Sequence, residues 1–230
     1  MPIRDLAGDA VRSVIRAYHG SPHDFDNFDY DKLQNGLLGP GLYASDYEPW
    51  VEEAYRRGGR IYELEIDASP SELLPENVTR ISARAGSEES SLRKLIAEAM
   101  IAGGGDASLM KPAELLDTII NTDAVKRIEA ARASGILPDD PAARQTALSG
   151  LRAQSRQSAR DAAMRSGVVG LHADWPYSPR AGETVPMKIY SVFDPGRVRI
   201  LRKYGLLPAT FAAEGLLNQP QQAESTAPAF

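Results

Sequence analysis

Two kinds of hydrophobic periodicity divide this chain, and their order along it restricts the fold more than any other feature. Residues 60–66 alternate in the manner of a strand with one buried face, and residues 187–193 form a second strong strand pattern. Between them, from about residue 87 to residue 165, apolar side chains recur at helical spacing. Ends rich in β-structure that enclose a helical middle predict one α+β domain with a helical insertion.

These patterns predict four segments. The two halves of the core are expected at residues 1–84 and 167–208, and the helical insertion lies between them at residues 85–166. The segment 209–230 is rich in Gln, Ala and Pro and is expected to be disordered. Within the core, strands are predicted at 41–45, 60–66, 167–172, 187–193 and 197–201, with a helix at 48–57 and a loop at 175–182.

The last predicted helix of the insertion carries a basic tract. Its members are Arg144, Arg152, Arg156, Arg160 and Arg165. The four-residue spacing from Arg152 to Arg160 puts three guanidinium groups on one helical face. Such a face is either simply solvated, which is the commoner case, or a docking surface for an acidic or phosphate-bearing partner.

Composition excludes several classes of function. The chain has no cysteine, which rules out disulfides, thiolate catalysis and cysteine-ligated zinc, and its net charge of −5 argues against a protein that coats nucleic acid. No apolar stretch approaches the roughly 20 residues that span a bilayer. Asp5 and Asp9 interrupt any signal-peptide core, so a cytoplasmic location is expected. His23 and His172 lack partners at ligand spacing, and no metal is expected.

Two short segments near the start, residues 18–22 and 39–45, set an aromatic or imidazole side chain beside glycine. Glycine lets a ligand approach the backbone closely. His19 offers a directional hydrogen bond, and Tyr43 offers a flat face with a polar tip. This combination suits a planar heteroaromatic ring that carries an amide and a ribose, and it indicates nicotinamide and NAD.

The order of three motifs resembles that of the ADP-ribosyltransferase superfamily, in its diphtheria-toxin and poly(ADP-ribose) polymerase-like (His-Tyr-Glu) branch. The motifs are Tyr18-His19-Gly20-Ser21, Gly41-Leu42-Tyr43-Ala44-Ser45 and Val192-Phe193-Asp194-Pro195. The resemblance covers roughly residues 14–66 and 167–202 and looks closest to domains of this type encoded by bacteriophages. It implies an α+β fold with a split antiparallel β-sheet at its core.

The resemblance also implies roles in NAD binding for individual residues. The histidine of the first motif, His19, would hold a ribose hydroxyl on the adenosine side of NAD, and the backbone of Gly20 would bind the nicotinamide amide. Tyr43 would stack on the nicotinamide ring, and Tyr55 on the following helix would close the other side of that ring. The remaining predicted NAD-binding residues are Ser21, Ser45 and Tyr30, the last on a loop that, with Phe28, would cover the site.

The third motif departs from the family pattern at position 189. Many members carry there a glutamate that stabilises the positive charge developing on the nicotinamide ribose, whereas this chain has Ile189. A His-Tyr-Ile triad resembles the mono-ADP-ribosyltransferases of the family, which can borrow the acid from the acceptor. Alternatively, Glu183 on the preceding loop supplies the catalytic carboxylate, with Asp174 as a weaker candidate. The sequence leaves both alternatives open.

The resemblance implies an enzyme that cleaves the nicotinamide–ribose bond of NAD, its co-substrate, and transfers ADP-ribose to a macromolecular acceptor. The expected acceptor is a host protein selected by the helical insertion, and the analogy with phage domains suggests an effector or anti-defence protein. The alternative is a non-catalytic module of the same fold that acts by occupying a partner's surface. Ile189, in place of a glutamate, keeps this alternative open.

Overall fold

The computed structural model describes residues 14–29, 33–55, 58–69, 71–77, 87–103 and 105–205, without the side chains of residues 34, 35 and 87–89. The predictions for Tyr30 and for residues 209–230 lie outside these ranges. Within them, no helix combines the length and the apolar character needed to cross a membrane.

Eight strands in the described part of the chain form one sheet. They are β1 (Val14–Ser21), β2 (Gln34–Gly36), β3 (Gly39–Ser45), β4 (Arg60–Asp67), β5 (Leu73–Pro75), β6 (Gly170–Tyr177), β7 (Val185–Val192) and β8 (Val198–Tyr204). Their order is β5-β6-β7-β3-β1-β4-β8, with β2 paired to β3. β5 and β6 run parallel, and the other described pairs run antiparallel. The predicted α+β class is confirmed.

Four α-helices accompany the sheet in the described residues: α1 (Glu48–Tyr55), α2 (Ser87–Ala102), α3 (Pro112–Ala133) and α4 (Pro141–Arg165). α3 and α4 begin at prolines, which suit a first turn because its N–H groups have no partner within the helix. Asp140 caps α4 by accepting a hydrogen bond from the N–H of Ala143 at 2.7 Å. The helices α2, α3 and α4 fall in the range predicted for the insertion.

Two buried hydrophobic clusters lie on opposite faces of the sheet. The first joins α2, α3 and α4 to the strands and includes Leu95, Leu116 and Phe193. Tyr43 packs against this cluster, whereas its neighbours along β3, Leu42 and Ala44, belong to the second. Consecutive residues of β3 therefore face opposite sides of the sheet, and the helical segment shares a core with the strands.

The predicted loop at residues 175–182 is wrong over its first three residues. Trp175 and Tyr177 belong to β6 and pair with Met187 and Val185 of β7. Trp and Tyr favour strands, and this preference prevails although Pro176 stands between them. The connection between the two strands is therefore limited to residues 178–184, and Trp175 joins the sheet.

The arginine tract of α4 does not form one solvated face, so that prediction is wrong at Arg160. Arg160 is 3% exposed, and its Nη2 donates to Oε1 of Gln157 at 2.5 Å. Arg152 is exposed and Arg156 is half-buried. Four-residue spacing does place side chains on a common face, but the second half of α4 is packed against the rest of the core, as the buried Ala159 beside Arg160 shows.

Candidate functional site

The strands β1 and β3 separate in the middle of the sheet. Tyr18 pairs with Ser45, but the next residues of the two strands are not paired with one another. The imidazole of His19 crosses this gap, because its Nδ1 lies 2.7 Å from the carbonyl oxygen of Tyr43. A side chain thus takes the place of a backbone hydrogen bond between the two strands.

A cavity of about 240 Å³ opens beside this gap. Five residues predicted for the site line it: His19, Gly20, Tyr43, Tyr55 and Ile189. Its other walls are Tyr18, Leu37, Leu38, Ala44, Trp50, Val51, Ala173 and Trp175. None of these described lining residues is an Asp, Glu, Lys or Arg, and the aromatic side chains among them suit a flat ring. Its volume lies below the roughly 300–1,000 Å³ typical of ligand pockets, which suits one end of a dinucleotide.

The hydrogen bond of His19 determines which ring nitrogen carries the proton. A carbonyl oxygen only accepts, so Nδ1 of His19 must donate to the oxygen of Tyr43. Burial lowers the pKa of His19 below its usual value of 6.5, although this hydrogen bond acts in the opposite direction. In the neutral ring Nε2 is therefore an acceptor, which suits a hydroxyl group of a ligand sugar.

Three aromatic rings surround the imidazole of His19. The ring centroids of Phe25, Phe28 and Tyr62 lie 6.2, 5.6 and 6.0 Å from the centroid of the imidazole. Phe25 also stacks on Tyr62 with a centroid separation of 4.2 Å. These rings withdraw the imidazole from water and so explain its lowered pKa. Phe28 of the predicted covering loop thus contacts the histidine of the site.

The turn between β2 and β3 holds Tyr43 in place. Its hydroxyl donates to the carbonyl oxygen of Gly39 at 2.8 Å and accepts from the N–H of Leu38 at 2.7 Å. Its ring lies against Gly36, where an added Cβ would stand 2.6 Å from Cζ of Tyr43. Burial raises the pKa of Tyr43 to about 12, so the phenol remains protonated. A ring fixed in this way offers a flat wall with little entropy left to lose on binding.

The ring of Tyr55 lies directly on Gly20. A Cβ added at Gly20 would stand 2.0 Å from Cδ2 of Tyr55, so this contact between α1 and β1 requires glycine. Burial raises the pKa of Tyr55. Gly20, which was predicted to present its backbone to a ligand, therefore also provides the surface on which Tyr55 packs.

Ser21 and Ser45 were predicted to bind NAD but do not line the cavity. Oγ of Ser21 accepts from the N–H of His23 at 3.1 Å. Ser45 is fully buried, and its Oγ accepts from the N–H of Tyr47 at 3.1 Å. In the structure both hydroxyls support local turns of the backbone.

The two acidic candidates for catalysis also lie outside this cavity. Glu183 is exposed in the connection between β6 and β7. The β7 residues from Val185 to Ile189 alone extend over about 13 Å, so Glu183 lies still farther from Ile189 along the strand. Nζ of Lys188 donates a hydrogen bond to Oδ1 of Asp174 at 2.7 Å within an ion pair. This hydrogen bond and the positive charge of Lys188 lower the pKa of Asp174.

A second cavity, of about 310 Å³, adjoins the first. The two share Leu37, Leu38, Ala173 and Trp175 as common walls. The other walls of the second cavity are mostly polar: Pro75, Glu76, Asn77, Lys111, His172 and Asp174. A flat apolar cavity and a cavity lined with charged groups thus lie side by side on the sheet.

Several lining residues were not predicted from the sequence, among them Tyr18, Trp50 and Trp175. Tyr18 stands two positions before Gly20 on β1, so strand alternation alone places both on one face and could have found it. Trp175 carried no such signal, because it was assigned to a loop. Trp50 lies on α1 beside Val51, which is buried, and helical periodicity does not separate its role from that of a core residue.

Among the described residues, no group of three or more His, Asp or Glu side chains could hold a metal ion. Comparisons of the chain with protein-family models, with curated proteins and with solved structures give no match. The function must therefore be inferred from the geometry of the site.

Proposed function

We propose that this chain is a mono-ADP-ribosyltransferase that uses NAD as its co-substrate and transfers ADP-ribose to a macromolecular acceptor. The observation that carries the proposal is the cavity beside the gap between β1 and β3. Residues of the first two motifs, together with Tyr55 and Ile189, reach this cavity from β1, β3, α1 and β7. Residues singled out from sequence for one ligand are thus neighbours in space, although they are distant along the chain.

In this proposal the nicotinamide ring enters the apolar cavity and lies against the ring of Tyr43. A ribose hydroxyl donates to Nε2 of His19, whose other nitrogen is committed to the backbone of β3. The pyrophosphate lies outside, because the described walls of the cavity carry no positive charge to receive it. The cavity therefore recognises the reacting end of NAD.

The acceptor in this proposal is a host protein. The chain itself is proposed to be a phage-encoded effector or anti-defence protein that acts in the cytoplasm of a bacterial host. This part rests on the resemblance to phage domains alone. The exposed side of α4 that includes Arg152 is proposed to select the acceptor. Because Arg160 is buried, a test of this surface should reverse the charge of Arg152 and leave Arg160 unchanged.

The experiment is incubation of the protein with NAD labelled in its adenylate part and a bacterial lysate. Release of nicotinamide together with a labelled protein band is the expected result, and His19→Ala is the control that should abolish both. Nicotinamide release without a band would instead indicate an NAD glycohydrolase. If nicotinamide is released at equal rates by the wild type and by folded His19→Ala, the proposed site is wrong.

A second candidate is a non-catalytic module that binds NAD or a protein without cleaving the nucleotide. It is favoured by one observation: the described walls of the first cavity include no carboxylate, and Ile189 stands where the family places its glutamate. Calorimetry with NAD separates the candidates. Saturable binding without any nicotinamide release would support the binding module.

A further inference from the structure

Ile189, Ala173 and Glu76 form a row of neighbouring residues that crosses the sheet from the first cavity to the second. The carboxylate of Glu76 stands at the end of this row. Ile189 of β7 pairs with Ala173 of β6. On the other side of β6, Pro75 pairs in parallel with His172, so the next residue, Glu76, stands level with Ala173. The N–H of Glu76 donates to the carbonyl oxygen of His172 at 2.8 Å, which continues the pairing. Neighbouring strands lie about 4.8 Å apart, and Glu76 is two strand spacings from Ile189, so roughly 10 Å separate the Cα atoms of the two residues.

The side chain of Glu76 is held on the face of the sheet that packs against the helices. Its Oε2 accepts from the N–H of Ala113, in the first turn of α3, at 3.2 Å. The neighbours of Glu76 in the row and along β5, Ala173 and Leu74, pack in the hydrophobic cluster on the same face. Glu76 is half-buried and lines the second cavity, whose walls Leu37, Leu38, Ala173 and Trp175 also belong to the first.

The surroundings of Glu76 favour its protonated form more than water does. Burial raises the pKa of Glu76, and the nearby charges of Glu114 and Asp117 act in the same direction. The hydrogen bond from Ala113 and the charge of Lys111 oppose them. The other titratable groups that line this cavity are His172 and Asp174. A half-buried carboxylate of this kind can take up a proton more readily than a surface glutamate.

We propose that Glu76 is the general base for the acceptor group, an inference that rests on the proposed ADP-ribosyltransferase function. The bond between C1′ of the ribose and the nicotinamide nitrogen breaks, and nicotinamide leaves with the electron pair. An acceptor O–H or N–H group forms the new bond to C1′, and its proton passes to the carboxylate of Glu76 and then to water. With the ribose beside Ile189, a separation of about 10 Å leaves room for the acceptor between sugar and carboxylate.

The test compares Glu76→Gln with the wild type in NAD cleavage and in ADP-ribose transfer to lysate proteins. Gln keeps an oxygen that accepts from Ala113, so folding should be preserved, as thermal unfolding will show. The transfer rate is expected to fall by about 10²-fold or more, with NAD affinity unchanged. Glu129→Gln, an exposed carboxylate on α3, is the matched control and should transfer at the wild-type rate.

A pH profile separates a proton acceptor from a merely structural residue. The wild-type rate should rise with pH through a transition above the range of an ordinary glutamate, and this transition should be absent in Glu76→Gln. Glu76→Asp, which keeps a carboxylate, should retain the transition at a reduced rate. This second variant also decides the matter if Glu76→Gln does not fold, because a pH-independent rate in both wild type and Glu76→Asp would overturn the inference.

The outcomes distinguish this inference from the function on which it rests. Equal transfer by the wild type and folded Glu76→Gln would overturn the role of Glu76 and leave the proposed function intact. Parallel loss of NAD binding and rate in Glu76→Gln would assign a structural role and also overturn it. A wild type that neither releases nicotinamide nor labels a protein would overturn both.

Discussion

The two neighbouring cavities share four walls yet differ in their chemistry. The first is lined by aromatic and aliphatic side chains, with His19 as its directional polar group. The second contains Glu76, Lys111 and Asp174, which can carry charge. A proton-accepting carboxylate is costly to bury in an apolar cavity, so holding a flat ring and moving a proton are better served by separate cavities. In the proposed enzyme, the first binds nicotinamide and the second receives the acceptor.

The largest expected effect comes from placing a carboxylate in the apolar cavity. Ile189→Glu would bring negative charge beside the ribose carbon that becomes cationic, and hydrolysis of NAD is expected to rise by about 10²-fold. Ile189→Gln, of the same shape without the charge, should stay near the wild-type rate. Nicotinamide release measured by chromatography checks this, and equal rates for the two variants would contradict the assigned position of the ribose.

Removing the flat wall of the first cavity should weaken binding. Tyr43→Ala is expected to reduce NAD affinity by about 1–3 kcal/mol, the scale of a lost aromatic stack and its buried area. Tyr43→Phe keeps the ring but loses the hydrogen bonds to Leu38 and Gly39. It should bind NAD normally and unfold with a free energy lower by about 1 kcal/mol. Unchanged affinity in folded Tyr43→Ala, measured by calorimetry, would reject the stacking role.

A third prediction concerns the packing of Tyr55 on Gly20. Gly20→Ala is expected to lower the free energy of unfolding by about 1–3 kcal/mol, because the added methyl group meets the ring of Tyr55. Gly150→Ala on α4, where nothing stands within 4 Å of the added atom, is the control and should be neutral or stabilising. In denaturant titrations, Tyr55→Ala should recover part of the loss when combined with Gly20→Ala. If the losses in unfolding free energy of Gly20→Ala and Tyr55→Ala simply add in the double variant, the contact between Gly20 and Tyr55 is contradicted.

The burial of His19 predicts a pH dependence of stability. Because the pKa of His19 is lowered in the folded protein, the unfolded chain binds this proton more readily. The contribution to stability is complete above about pH 6.5 and is lost as the pH falls below that value. His19→Gln should flatten this part of the stability profile in denaturant titrations, whereas His23→Gln, at an exposed position, should retain it. Identical profiles for wild type and His19→Gln would contradict the burial.

The smallest effect is expected at Glu183. Its exposed position beyond the end of β7 predicts that Glu183→Gln changes NAD cleavage and transfer by no more than about two-fold. A loss of about 10²-fold would instead assign to Glu183 the role of the carboxylate that stabilises the cationic ribose. Rates of nicotinamide release and of transfer, measured for Glu183→Gln beside the wild type, check this prediction.

The parts of the fold that local sequence determines were predictable. The alternation of residues 60–66 predicted β4 and the buried face that includes Leu64. His19 and Tyr43 were found because each stands beside a glycine in a recognisable motif. Such features depend on residues close together in the chain.

The other features of the fold and of the site depend on contacts between residues that are distant in the sequence, and local patterns do not predict such contacts. Arg160 is buried because the second half of α4 packs into the core, which its spacing could not reveal. Glu76 follows a three-residue strand, and its place beside the site is created by parallel pairing with a distant strand, β6. Trp175 shows the same dependence, because its role followed only from the pairing of β6 with β7.

The turn of the β2–β3 hairpin belongs to the walls of both cavities. Leu37 and Leu38 line both cavities, and the hydroxyl of Tyr43 accepts a hydrogen bond from the N–H of Leu38. In the proposed enzyme, a ring stacked on Tyr43 therefore also restrains the turn that lines the second cavity. If the two substrates of the proposed enzyme are coupled through this turn, each changes the affinity for the other by the same factor.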